Sequence, residues 1–210
     1  MVDANDGIVA TAGIIEGFVG AGATGNSILV AALSAMIAGG IAVGGAKYSE
    51  LAVGRDARVA LIEAERRQLE LSPDEEFLEL VDLYRAKGLS LPLAHEVATE
   101  LTERDALAAH ADAEYGVSLA DAGPSALRAA AASALAFALG AAIPLLAVML
   151  TPDAWRVPVT FVAVIVSLTI TSWVVAIAGR THVIRTIVRT VVIGTAAMAI
   201  TLFVGHLFHP

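Results

Sequence analysis

Residues Ile28 to Ala46 read ILVAALSAMIAGGIAVGGA, a run with no charged side chain and of a length that crosses a bilayer as one helix. Four further apolar runs flank it, at roughly Ile8–Ala23, Leu127–Leu150, Val157–Ala178 and Ile187–Phe208. Between the first two, Gly20-Ala-Gly-Ala-Thr-Gly-Asn-Ser27 reads as a tight turn, which makes those spans a helical hairpin. Thr151-Pro-Asp-Ala-Trp-Arg156 joins the third and fourth, with Trp155 suited to the membrane interface. Composition points the same way: the chain is 57% hydrophobic with a mean hydropathy of +0.76, more apolar than a soluble domain needs. The expectation is an all-α polytopic membrane protein with five transmembrane helices. Residues 1–48 form a hairpin of helices, 49–123 an inserted helical domain, and 124–210 the last three spans.

The inserted block, Ser49–Gly123, is polar but periodic. Leu61, Ile62, Leu69, Phe77, Leu80, Val81 and Tyr84 fall near i, i+3, i+4 spacing, as in amphipathic helices. Ser72-Pro73 followed by Asp74, Glu75 and Glu76 reads as a helix start, with a serine N-cap, proline at N1 and acids in the first turn. Gly88 ends that helix, Leu91-Pro92 opens another, and a further helix over Leu101–Tyr115 stops at Gly116. The net charge of -8 is therefore local, its acids concentrated between Glu50 and Asp121.

Lysine and arginine placement gives an orientation. Lys47, Arg55, Arg58, the rest of the block, Arg128, Arg180, Arg185 and Arg189 fall on one side, and Arg156 alone on the other. The positive-inside rule predicts a multi-pass protein of the cell (inner) membrane with its helical domain cytoplasmic and His206 and His209 outside. No basic n-region or cleavage pattern precedes the first apolar run, so it is expected to stay as a membrane helix. Without cysteine there are no disulfides or thiolate sites. No basic patch suits a nucleic acid, and no nucleophile–base constellation or phosphate loop suggests an enzyme.

Charge inside a membrane segment is costly and usually has a partner or a task. Asp6 stands at the mouth of the first run, and Glu16 lies about 15 Å deeper on a straight helix. The two acids point to a cation path. Asp6 also fits a plain N-cap, and Glu16 a buried acid held neutral or bonded to a serine such as Ser34. Gly13 with Gly17 and Gly40 with Gly44 let helices approach closely, within the bundle or across a dimer seam. Pro144 is expected to kink the third span.

The order of these features resembles the vacuolar iron transporter family, as a divergent, bacterial-type member. The resemblance is carried by Asn5-Asp6-Gly7-Ile8-Val9 with Thr11-Ala12-Gly13, by Gly140-Ala-Ala-Ile-Pro144, by Leu80-Val81-Asp82-Leu83-Tyr84, and by Arg189, Gly194, Thr201 and Gly205 in the fifth span. It implies a homodimer that exports Fe²⁺ or a related divalent ion such as Mn²⁺ from the cytosol against protons, along a path between the first spans. It also implies a cytosolic metal site at Glu65 with Gln68, Glu76 with Glu79, and His110 with Glu114, each pair on one helix face. Such a donor set suits Fe²⁺, Mn²⁺, Zn²⁺ or Co²⁺, with no tightly bound cofactor. One departure stands out: the family pattern Ser-Met-x-x-Gly-Glu-Tyr is here Ala42-Val43-Gly44-Gly45-Ala46-Lys47-Tyr48, with Lys47 replacing a glutamate. Lys47 either repels a divalent ion or pairs with Asp6. Met36 falls at a depth similar to Glu16, so the two are a candidate site nearer the bilayer centre. The alternative reading is a transport-incompetent relative: a membrane-anchored metal sensor, or a subunit docked on another membrane complex.

Overall fold

The computed structural model describes residues 2–119 and 125–208, and they are helical apart from their connections. The helices are α1 (Val2–Gly20), α2 (Gly25–Leu71), α3 (Pro73–Ala86), α4 (Leu91–Tyr115), α5 (Ala126–Met149), α6 (Arg156–Ala178) and α7 (Val183–Leu207), with a 3₁₀ turn at Asp153–Trp155. The chain divides into two compact units, Met1–Tyr48 with Ala126–Pro210, and Ser49–Ser125. Helix α2 runs unbroken from the first into the second. Its 47 residues contain no proline, and after Gly54 the chain is rich in Ala, Glu, Arg and Leu, all strong helix formers.

Among the described residues, four helical stretches are long and apolar enough to cross a membrane: the start of α2, α5, the stretch Asp153–Ala178, and α7. The expected first span, α1, does not qualify on that measure, because its 19 residues include Asp3, Asp6 and Glu16. Burial in protein takes the place of lipid contact. Ile8, Thr11, Ala12, Ile15 and Glu16 are all fully buried. The helix also starts earlier than the apolar run suggests, so Asp6 lies one turn inside α1 and is not its N-cap.

In the first unit α1 is held by two apolar clusters and two glycine seams. Ile8 and Ala12 pack with Val164 and Leu168 of α6 and Met198 of α7. Farther along, Ile15 packs with Ile28 and Ala32 of α2 and with Leu145 and Val148 of α5. Lipid tails are as apolar as these side chains, so close packing rather than water exclusion must hold the helices together. The seams provide it: a Cβ at Gly7 would overlap the Phe137 carbonyl of α5, and one at Gly140 the Ala4 carbonyl of α1. A Cβ at Gly20 or Gly205 would likewise meet the Leu202 or Gly17 carbonyl, where α1 meets α7. Thr171 of α6 donates a hydrogen bond to Asn5 Oδ1 of α1. Helix α5 continues through Pro144 as a single element.

In the second unit α3 and α4 pack through Leu80, Val81, Ala94, Ala98 and Ala109, flanked by Phe77, Tyr84 and Leu101. The signals for α3 act where expected: Pro73 is at its start, acids fill the first turn, and Gly88 follows at φ 100. The Ser72 hydroxyl makes no capping bond. Lys87 donates from Nζ to the Ala113 carbonyl at 3.2 Å, tying the end of α3 to α4. Helix α4 contains a break at Asp105, whose backbone is extended (φ -169, ψ 92). There the Asp105 carboxylate accepts from the Ala108 N–H at 3.0 Å, so it caps the segment that carries His110. Gly116, left-handed at φ 62, closes that segment. Leu61 was expected on the apolar face but is 42% exposed, because α3 and α4 fill this core with their own side chains.

Candidate metal centre

His110 and Glu114 are one helical turn apart after the Asp105 cap, so both project from one face of α4. Glu65 of α2 and Glu76 of the first turn of α3 meet them there. One donor atom from each of these four residues lies within 4.8 Å of all the others. A four-coordinate ion with bonds of about 2.0–2.2 Å holds its donors about 3.3–3.6 Å apart, so side-chain rotations that draw the set inward would close it around one cation.

His110 Nδ1 is at the middle, 3.0 Å from Glu65 Oε1, 3.2 Å from Glu114 Oε1 and 3.7 Å from Glu76 Oε2. A ring nitrogen carries at most one proton, so it cannot satisfy three carboxylates. The histidine is bonded to Glu114, while Glu65 Oε1 is buried and has no hydrogen-bond partner. Burial aggravates the shortage: Glu65 and His110 are each only 1% exposed and Glu76 6%. Desolvation is the main cause that raises the Glu65 carboxyl above its ordinary value, and Glu114, Glu76 and Glu79 add repulsion against the opposing pull of His110. The Glu76 carboxyl is raised for the same reasons, burial first and then Glu79. A divalent cation at this point would supply the charge that the protein does not.

Tyr115 completes the surroundings. Its hydroxyl donates to Glu65 Oε2 at 3.5 Å, and its own ionisation is pushed up, first by hydrogen bonding to Glu114 and then by burial. Sequence reasoning passed over Tyr115, although its place beside Glu114 was a usable signal. Of the six residues expected here, Gln68 and Glu79 are exposed and outside the cluster, although Glu79 is near enough to act on both Glu65 and Glu76. Three carboxylates with one imidazole suit Fe²⁺, Mn²⁺, Zn²⁺ or Co²⁺ better than ions that prefer only oxygen.

The residues expected along a membrane path lie in the first unit. Asp6 is exposed and lines a pocket with Arg189. Glu16 is fully buried, and neither of its oxygens has a hydrogen-bond partner. Met36 packs against the cluster around Ile15 and Leu145. Lys47 is half-buried on α2 and is not among the residues that line the Asp6 pocket.

A profile described as "VIT family" matches residues 1–206. The chain belongs to the VIT family. Over 99% of its length it is 35% identical to a protein of Acanthamoeba castellanii named vacuolar iron transporter, covering 76% of that protein. Over 79 residues, 37% of the chain, it is 43% identical to vacuolar iron transporter homolog 4 of Arabidopsis thaliana, covering 40% of that protein. A vacuolar iron transporter of Plasmodium falciparum is 30% identical over 82 residues. With its long apolar helices, this VIT family member is a multi-pass membrane protein.

Proposed function

We propose that this protein exports a divalent metal ion of the Fe²⁺ or Mn²⁺ kind from the cytosol across the cell membrane, in exchange for protons. The carrying observation is the buried cluster of Glu65, Glu76, His110 and Glu114, whose donors converge without enough protons to satisfy them. In this reading the chain spans the membrane five times, with α1 as the inner span, and the Ser49–Ser125 unit faces the cytosol and gathers the ion. Asp6 then receives it, with Glu16 and Met36 as a deeper station. Carboxylates couple ion release to pH, because protons and metal compete for the same oxygens.

The protein acts here as a homodimer. An apolar groove of about 560 Å³ along α1 and α7, lined by small residues that include Gly13, Gly17 and Thr201, supports such a contact. The test is metal flux into sealed vesicles at opposed pH values. Flux driven by the proton gradient and reduced in Glu16→Gln is expected. Unchanged flux in that variant removes the deeper station. A second reading, a membrane-anchored sensor or an accessory subunit, is favoured by Lys47, which puts a cation where the family pattern has a glutamate. Metal binding with no flux supports the sensor, and absence of both supports the subunit.

A further inference from the structure

A pocket of about 270 Å³ opens between α1, α6 and α7, and none of the four cluster residues lines it. Asp6 and Asn5 reach it from α1, Ser172 from α6, and Thr186 and Arg189 from α7. It holds one carboxylate and one guanidinium, yet among the described residues no ion pair joins them. Ser172 is 1% exposed, and its hydroxyl is buried without a hydrogen-bond partner. A built pocket with two separated opposite charges and an orphan hydroxyl suits a small zwitterion.

The sign at each end follows from the side chains. Thr186 and Arg189 line the pocket from α7, where the guanidinium attracts an anion and the Thr186 hydroxyl can donate to it; the Thr186 N–H is already bonded to the His182 carbonyl. Asp6 and the Ser172 oxygen offer acceptors for a group that carries several N–H donors. A lone anion would face Asp6, and a lone metal ion would face Arg189, so neither suits the whole pocket. The pocket lies between helices long and apolar enough to cross a membrane, within about two turns of the end of α6 and about three turns of the start of α7, and apolar side chains such as Val9 and Ile193 complete its wall.

We propose that this pocket binds phosphoethanolamine as the headgroup of a membrane lipid, with the phosphate on Arg189 and Thr186 and the primary ammonium on Asp6 and Ser172. A filled pocket covers Asp6, so under the transport reading the headgroup must leave before Asp6 receives an ion; the assignment goes beyond that reading and does not depend on it. The test uses the full chain in detergent, stripped of lipid and mixed with phosphatidylethanolamine, phosphatidylcholine or phosphatidylglycerol of identical acyl chains. Retention is read by native mass spectrometry.

Hydrogen bonds to charged groups lead us to expect about tenfold tighter retention of the ethanolamine lipid than of the other two. Asp6→Asn should erase that preference, while Arg189→Gln should weaken all three lipids and Arg189→Lys should keep part of the binding. Equal retention of the three lipids, or an unchanged preference in Asp6→Asn, overturns the assignment. Free phosphoethanolamine that displaces the lipid at equal concentration also overturns it, in favour of a soluble ligand. If Asp6→Asn fails size-exclusion checks, Ser172→Ala carries the test: a several-fold loss confined to the ethanolamine lipid supports the pocket, and no change refutes it.

Discussion

Glu65→Gln should move two properties of the Ser49–Ser125 unit in opposite directions. Glu65 is 1% exposed, and its carboxyl is raised above 4.5 by burial and by neighbouring acids. A raised folded-state value means that protonated Glu65 contributes stability below pH 4.5, and that this is lost as pH rises through the raised value. Glutamine mimics the protonated form at every pH. In chelator, the variant should therefore match the wild type near pH 4 and be equally or more stable near pH 7.5. Metal binding should change the other way. Loss of a group merely supporting a metal ligand costs about 10–100-fold in affinity, so loss of a ligand should cost at least about 100-fold.

At a free ion concentration 100 times the wild-type Kd, bound metal stabilises the wild type by about 2.7 kcal/mol and the variant by about 0.4 kcal/mol. For a chain of this size each kcal/mol moves the Tm by roughly 2–4 °C. The metal-induced shift should thus fall from roughly 5–11 °C to about 1 °C, measured by calorimetry in detergent with Mn²⁺ or Zn²⁺. An affinity within threefold of wild type, or a chelated variant less stable by more than about 1 kcal/mol, would refute the reasoning, since the latter is the sign of a structural hydrogen bond.

Further perturbations separate the parts. His110→Ala should abolish high-affinity binding as Glu65→Gln does, and titration calorimetry checks it. In the metal-free wild type, raised Glu65 and Glu76 should make the unit lose stability as pH rises from 4.5 through their raised values, and added metal should reverse the trend, as pH-resolved melting would show. Asp105→Ala removes the cap that aims His110 and should cost about 0.5–2 kcal/mol, measurable by thermal melting, with weaker metal binding. Gly140→Ala puts a methyl into the Ala4 carbonyl and should cost about 1–3 kcal/mol or block assembly, whereas Gly45→Ala, with open space around its Cβ, should be neutral in the same melting assay.

The residues that announce the helices differ from those that build the site. Long uncharged runs such as Ile28–Ala46 can be read directly, because crossing lipid requires such runs. Helix α1 could be read only in part: its acids make sense when protein surrounds it, and a single run does not reveal its neighbours. A second helix was expected to begin at Leu101, and the break falls four residues later at Asp105, because nothing in Glu103-Arg104-Asp105-Ala106 marks that aspartate as a cap rather than a solvated side chain. Spacing alone put His110 and Glu114 on one face. That Glu65 and Glu76 belong with them, and Gln68 and Glu79 do not, depends on how α2, α3 and α4 pack. Arg189 facing the same pocket as Asp6 joins residues from the two ends of the chain, which no local pattern encodes.

The glycine seams along α1 have a mechanical meaning. Where backbone touches backbone, a helix has no side-chain slack to slide on. Shifting α1 by a single residue would bring Asp6 or Ile8 to the spot where only Gly7 clears the Phe137 carbonyl. Helices α1, α5 and α7 are thereby locked as the stator of the molecule, and any stroke that carries cargo must come from parts joined to them through deformable side chains.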